Sequence, residues 1–527
     1  MRMHPAVAFF LLVMSSVHAS TSPGARADAQ PVASANLHTL RAERAFKEAR
    51  KLGPPALHAF LTGMPKGADL HVHLSGAVYA ESWIRAAGED GLCIDTAALR
   101  FVKPLAGGSC AAGEIEAQKM LTTIQQPVSQ ELEDKLIDAF SMRSFVPSSS
   151  WSGHDQFFAT FSRFSGTSKR HAGEWIDEVA SRAAAQNEQY LELMDTPDFA
   201  HAAALAQKIG WDADLPALRQ RLIDGGLFDE VEPARAAMQT ALARRDQIEH
   251  CHSSQPAPGC AVTVRFLYQI LRDNPPAQVF AQTLLGFETI AREPGFVGIN
   301  FVQPEDAFYS MRDYTRQMEM LDYLHRLYPQ VHISLHAGEL AEGLVPPDGL
   351  RFHIRQAVEI GHAERIGHGV DVMDEDNAQA LLKEMAARHV MVEINLTSNA
   401  VILGVQGKDH PLPEYRRAEV PVALSTDDEG VSRIDLTHEY ERAAEEFGLS
   451  YSDLKFMART SLEHAFLPGA SLWSHPDRFM TPVDVCAHQT LGADKPTNAC
   501  GNYLKASPRA AEQWELERRL RVFEAQW

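Results

Sequence analysis

His71 and His73 stand two residues apart in the run Ala68-Asp69-Leu70-His71-Val72-His73-Leu74-Ser75-Gly76. Side chains on a β-strand repeat every two residues, so both imidazoles face one way and can chelate one metal ion. Among 23 histidines such a pair arises easily by chance, and alone it carries little weight. Three further stretches, each closing a strand-like run, supply what the pair lacks: Ser334-Leu335-His336-Ala337-Gly338-Glu339, Arg365-Ile366-Gly367-His368-Gly369 and Leu424-Ser425-Thr426-Asp427-Asp428. Three neutral imidazoles (His71, His73, His336) and one carboxylate (Asp427) suit a single Zn2+, leaving a position for a water whose pKa the ion brings to about 7. Glu339, just past the ligand His336, is placed to shuttle a proton, and His368 to orient or deprotonate the water. Asp428 adjoins Asp427 but must point elsewhere, which frees it to hold a substrate. Blander readings stand beside these. Glu339 could be a helix-start carboxylate, His368 a strand-end turn residue and Ser75 a helix N-cap rather than a substrate contact.

Elements that would bring these residues together are legible as eight β-like runs, at 68–73, 190–194, 262–270, 297–301, 331–336, 365–368, 390–394 and 422–426, separated by helix-like sequence. That alternation predicts an α/β chain closed as a (β/α)8 TIM barrel, whose chemistry gathers at the C-terminal ends of the strands. His71 and His73 then close strand one, His336 strand five, His368 strand six and Asp427 strand eight. Bimetallic relatives of such a barrel carry a bridging carboxylated lysine or an acidic residue at the end of strand four. That strand ends near Asn300-Phe301-Val302-Gln303, and no lysine occurs between Lys208 and Lys383, so one metal is expected.

Within 527 residues the expected organisation is a signal peptide at 1–19, a linker at 20–36, the barrel domain at 37–470 and a helical C-terminal extension at 471–527. The signal rests on Arg2, the apolar run Ala6 to Met14 and the small residues of Val17-His18-Ala19, a run too short to span a bilayer. An N-terminal helix is read at 37–52, stopped by Gly53-Pro54-Pro55. Insertions are read at about 86–150 and 195–259. The aromatic face Phe157, Phe158 and Phe161 divides between core and pocket wall, and the sequon Asn395-Leu396-Thr397 is discounted because it follows a barrel strand. Six cysteines form three local pairs, Cys93 with Cys110, Cys251 with Cys260 and Cys486 with Cys500, which in an exported, periplasmic or secreted chain reads as three disulfides. A formal net charge of −20 argues against nucleic acid or an anionic membrane as partner and favours a small neutral or cationic molecule. Nothing in the sequence sets an oligomeric state.

Taken in order, His71-Val72-His73-Leu74-Ser75-Gly76-Ala77, Ser334-Leu335-His336-Ala337-Gly338-Glu339-Leu340, Arg365-Ile366-Gly367-His368-Gly369-Val370-Asp371 and Leu424-Ser425-Thr426-Asp427-Asp428-Glu429-Gly430 closely resemble the adenosine/AMP deaminase family of the amidohydrolase superfamily. The resemblance covers about 65–468. It implies zinc-dependent hydrolysis at C6 of adenosine, giving inosine and ammonia, with a purine nucleoside as partner. Carried over, His71, His73, His336 and Asp427 hold zinc, Glu339 protonates N1, His368 positions the hydroxide and Asp428 bonds N7. The chain departs from the family at two places. Ser75 stands where many members carry an aspartate for the ribose 5′-hydroxyl, and Gln303-Pro304-Glu305 replaces a Gly-Asp-Glu whose glycine backbone meets the purine. The rival readings are another aminopurine, a catalytically weak nucleoside-binding protein, and two-metal ester or phosphotriester hydrolysis.

Overall fold

A computed structural model describes residues 30–121 and 130–527. The expected signal peptide lies outside the described residues. Eight parallel strands form the barrel: β1 (Gly67–His73), β2 (Glu188–Asp195), β3 (Thr263–Leu271), β4 (Phe296–Val302), β5 (His332–Ala337), β6 (Arg365–His368), β7 (Met391–Ile394) and β8 (Val422–Leu424), hydrogen-bonded in that order. Closure runs through the site itself. Asp427, just past β8, pairs with Val72 of β1, its N–H donating to the His71 carbonyl at 2.8 Å and its carbonyl accepting from the His73 N–H at 3.1 Å. Asp69 stitches the same seam, its carboxylate accepting from the Thr426 N–H at 3.0 Å and hydroxyl at 2.6 Å. The strands are buried almost throughout because helices cover the outside and side chains fill the inside, which is why each reads as an apolar run.

The N-terminal helix spans Gln30–Leu52, so it begins inside the stretch expected to be linker. It ends at Gly53, whose φ of 105° suits glycine, and Pro54 opens the next helix, Pro54–Gly63. Between β1 and β2 the chain adds a small antiparallel sheet of Cys93–Asp95, Arg100–Val102 and Glu114–Glu116, tied by the Cys93–Cys110 disulfide. Between β2 and β3 it adds the helices Ala200–Ile209, Leu215–Asp224 and Val231–Ile248 and the Cys251–Cys260 disulfide. The third local pair, Cys486–Cys500, is also bonded. The C-terminal helix Pro508–Glu524 lies on the barrel's outer layer, where Glu517 takes both Arg459 donors from the helix Tyr451–Glu463. Phe157 is buried, and Phe158 and Phe161, half-buried, pack against the same core. Asn395 is fully buried, which disposes of the sequon. No described helix is long and apolar enough to cross a membrane.

Candidate metal centre and active site

The four expected ligands meet. His71 Nε2 and His73 Nε2 each lie 3.1 Å from His336 Nε2, and Asp427 Oδ1 lies 3.5 and 3.2 Å from the first two. Four donors at about 2.0–2.1 Å from one ion, arranged tetrahedrally, have edges of roughly 3.3–3.4 Å, so these separations match a metal ion at their centre. The outer ring nitrogens decide which inner atoms carry lone pairs. His71 Nδ1 donates to Glu393 at 2.6 Å, His336 Nδ1 to Asn300 Oδ1 at 2.7 Å and His73 Nδ1 to Gln269 Oε1 at 3.1 Å. All three Nε2 atoms are then acceptors turned towards one another, an arrangement that needs a cation. Burial alone would depress His71, but with no ion in the cluster its hydrogen bonds to Asp427 and Glu393 override that and push the ring up to about 10, so a proton competes with a metal for Nε2. The pocket favours positive charge.

Glycine makes two of these approaches possible. A Cβ on Gly367 would lie 2.5 Å from the His71 ring, and one on Gly76 would lie 1.4 Å from Asp428 Oδ1. His368 and Asp427 adopt φ of 69° and 62°, a left-handed conformation uncommon for such residues and concentrated at functional sites.

Around the cluster sit three titratable groups. Glu339 Oε1 is 3.6 Å from His368 Nε2, and the two share a compact group with Asp427. Burial, reinforced by the Asp427 charge, raises the Glu339 carboxyl well above its ordinary range. The same two causes raise Asp428. Burial also works to raise Asp427, but hydrogen bonds with His71 and His73 outweigh it and hold the carboxyl well below its usual range. Burial pulls His368 down to about 4, so that ring is neutral. Asp428 Oδ1 and His368 Nε2 are buried without a hydrogen-bond partner among the described residues.

Ser75 is half-buried within the short helix Leu74–Ala77, whose N-cap is His73, so the N-cap reading is set aside. Gln303 has φ of 83°, so the backbone after β4 takes a glycine-like turn without a glycine. The turn is held by Arg272 Nε donating to the Gln303 carbonyl at 3.0 Å and by Gln303 Oε1 accepting from the Asp273 N–H at 2.8 Å. Sequence reasoning passed over the residues behind the ligands: Glu393, Asn300, Gln269, Ser398, whose hydroxyl donates to Asp427 Oδ2 at 2.6 Å, and Glu305, whose carboxylate accepts from the Gly338 and Glu339 N–H groups at 3.1 and 2.8 Å. Their one signal is a polar residue inside or just past an apolar strand.

A family model described as adenosine deaminase matches residues 175–472, more than half of the chain. The chain belongs to the adenosine deaminase family. Members are metal-dependent amidohydrolases of the deaminase type. An adenosine deaminase of Clostridium perfringens (strain 13 / Type A) is 31% identical over 181 residues, 34% of this chain and 51% of the relative. The match thus spans about half the length of that curated relative. Among solved structures, a zinc-bound amidohydrolase of Burkholderia ambifaria aligns with a TM-score of 0.51 at 18% identity, covering 78% of this chain and 88% of its own. An Arabidopsis protein solved with IMP aligns with a TM-score of 0.51 at 20% identity, covering 77% and 93%. At such identities the likeness is one of fold.

Proposed function

We propose that the chain is a zinc-dependent hydrolase converting adenosine, and 2′-deoxyadenosine, to inosine and ammonia. The observation that carries this reading is the convergence of His71, His73, His336 and Asp427 with Glu339 and His368 beside them. One Zn2+ per chain, when bound, supplies Lewis-acid activation of water. Everything else falls to side chains. Glu339 gives its proton to N1 of the purine as the C6–O bond forms, which draws electrons from C6. Asp428, raised by burial and by its neighbour, keeps a proton with which to bond N7. His368, neutral, faces the incoming oxygen. The Glu339 carboxylate left behind takes the remaining proton of the added oxygen and delivers it to N6, so that C6=O forms as the C6–N6 bond breaks and ammonia leaves. Ser75 takes the sugar in this reading. The three disulfides support export to an oxidising compartment, periplasmic or extracellular.

A second reading keeps the chemistry and changes the substrate to adenine, a 5′-modified adenosine or an N6-substituted nucleoside. It is favoured by one observation, that a neutral serine, Ser75, stands where many members of the family carry an aspartate for the 5′-hydroxyl. Ammonia release measured across adenosine, 2′-deoxyadenosine, adenine, 5′-substituted adenosines and N6-methyladenosine separates the two. Adenosine turned over at least tenfold more efficiently than adenine is the expected result, and no preference for it would defeat the proposal. Two metal ions per chain by elemental analysis would instead revive the two-metal hydrolase reading.

A further inference from the structure

His368 can serve the reacting oxygen in two opposite ways. With a bare Nε2 it takes a proton, and with a protonated Nε2 it donates a hydrogen bond and holds the oxygen in place. A chain of buried groups behind the ring decides between them. The helix Leu396–Leu403 after β7 carries Asn399, whose carboxamide lies between two imidazoles, with Oδ1 2.9 Å from His368 Nδ1 and Nδ2 2.9 Å from His410 Nε2. Asn399 is fully buried and His410 nearly so.

The chain is anchored at its far end by a group with no choice. The backbone N–H of Leu412 donates to His410 Nδ1 at 3.1 Å, and a backbone amide is only ever a donor. His410 Nδ1 therefore offers a lone pair. Burial, with Arg442 nearby, holds His410 down at about 3, so the ring is neutral and its single proton sits on Nε2. That N–H needs an acceptor on Asn399. Nδ2 on that side is a second donor, and a half-turn of the carboxamide, which exchanges oxygen and nitrogen within the same outline, brings Oδ1 to His410 instead. Oxygen towards His410 leaves the NH2 towards His368, so His368 Nδ1 accepts and its one proton must lie on Nε2. With nitrogen towards His410, two N–H donors would face each other in a dry interior, at a cost of about 1–3 kcal/mol for each unmade bond. A second carboxamide, Asn395, reaches the same His368 Nδ1 at 3.4 Å, and with its nitrogen on that side it too donates to a bare Nδ1.

We propose that Asn399 and His410 are positioning residues that lock His368 as the Nε2–H tautomer, making it a hydrogen-bond donor to the attacking oxygen rather than the base that deprotonates it. The relay runs Leu412 N–H to His410, His410 Nε2–H to Asn399, Asn399 Nδ2–H to His368, and His368 Nε2–H into the site beside Glu339. Proton transfer is then left to Glu339 alone, which fits the separation of roles between that acid and the neutral ring. The catalytic part of this inference rests on the deaminase reading, whereas the tautomer is a property of the resting protein.

The test uses metal-loaded, 15N-histidine-labelled protein without substrate. Two-bond correlations from the ring carbon protons distinguish a protonated from a bare nitrogen, with His368 assigned by its loss in His368→Ala. The expected spectrum shows protonated Nε2 and bare Nδ1 on His368. Asn399→Asp presents only acceptors, so it should flip His368 to Nδ1–H with metal content unchanged. It should also lower kcat about 100-fold, the usual scale for a misplaced acid–base group, and leave KM within twofold. A wild-type His368 bearing its proton on Nδ1 overturns the proposal, and that measurement needs no variant to fold and no particular substrate to react. So does a tautomer that ignores Asn399→Asp, or one that flips while kcat stays put.

Discussion

Inside one barrel, two buried polar layers sit a few residues apart and obey opposite rules. Arg365 opens β6 and His368 closes it. At the Arg365 level, charges are matched to one another: its guanidinium pairs with Glu192 and Glu393, each at 2.7 Å, and stacks 3.8 Å over the Phe466 ring, while Ser334 donates to Glu393 at 3.0 Å. At the His368 level, three imidazole lone pairs converge, His368 Nε2 and Asp428 Oδ1 have no hydrogen-bond partner among the described residues, and two side chains sit on left-handed backbone. A folded chain tolerates unpaired buried groups at a functional site and otherwise pairs them. Glu393 joins the layers, one oxygen on Arg365 and the other on the His71 ring. The lower layer therefore serves as the rigid mount on which the upper layer's unmet demands are held open.

Removing the metal should expose that contrast most strongly. A chelator that strips the ion should lower turnover roughly 1,000-fold or more, the equivalent of several kcal/mol of lost charge stabilisation. It should also depress the melting temperature, because an ion that binds only the folded state stabilises it by mass action. Zinc should restore both. Full turnover in protein shown by elemental analysis to be metal-free would end the metal reading.

Breaking the mount comes next. Glu393→Gln leaves Arg365 buried against one carboxylate instead of two and should cost about 3–5 kcal/mol of stability in urea melts. It also loosens His71, for which a 10–100-fold loss of metal affinity is the scale of a lost ligand-orienting partner. A variant as stable as the parent would mean that the lower layer is not the support described.

Glu339→Gln probes the upper layer alone and should look quite different. Turnover is expected to fall about 100-fold, near 2.7 kcal/mol on the barrier, with metal retained. The effect on stability has the opposite sign to that of Glu393→Gln. The Glu339 carboxyl is raised above its unfolded value by burial and the Asp427 charge. Its protonated form thus contributes stability that is fully present below the unfolded pKa and lost as pH climbs through the folded one. The glutamine variant should therefore gain on the parent in thermal melts as pH increases above about 4, the ordinary range of a glutamate. A variant that loses stability relative to the parent over that range would place Glu339 with the paired layer instead.

The upper layer was legible in the sequence because its residues come in short motifs at strand ends, where spacing and residue type both carry information. The eight strands were legible for the same reason that they are buried, as apolar runs set off by polar, glycine-bearing ends. Most of the lower layer was not. Glu393 in Met391-Val392-Glu393-Ile394, Asn300 in Gly298-Ile299-Asn300-Phe301 and Gln269 in Tyr268-Gln269-Ile270 are single polar residues in apolar strands. Which histidine each one meets depends on register between strands far apart in the chain, and a local pattern does not contain that register. The early start of the first helix at Gln30 escaped for a different reason. The stretch 30–36 has no apolar period of its own, and propensity alone is a weak guide.

Ser75 offers the smallest and most discriminating test, because it belongs to neither layer. It sits half-buried on the short helix after β1, and its hydroxyl makes no hydrogen bond with the described residues. If it meets the sugar, Ser75→Ala removes one neutral hydrogen bond, worth about 0.5–1.5 kcal/mol net. KM for adenosine should then rise roughly two- to tenfold with kcat unchanged. The same variant should treat free adenine as the parent does, since adenine brings no hydroxyl to that end of the site. An equal change for both substrates would move Ser75 from the sugar to the base. No change for either would leave the sugar unrecognised at this position, and adenosine would lose its claim over the smaller aminopurines.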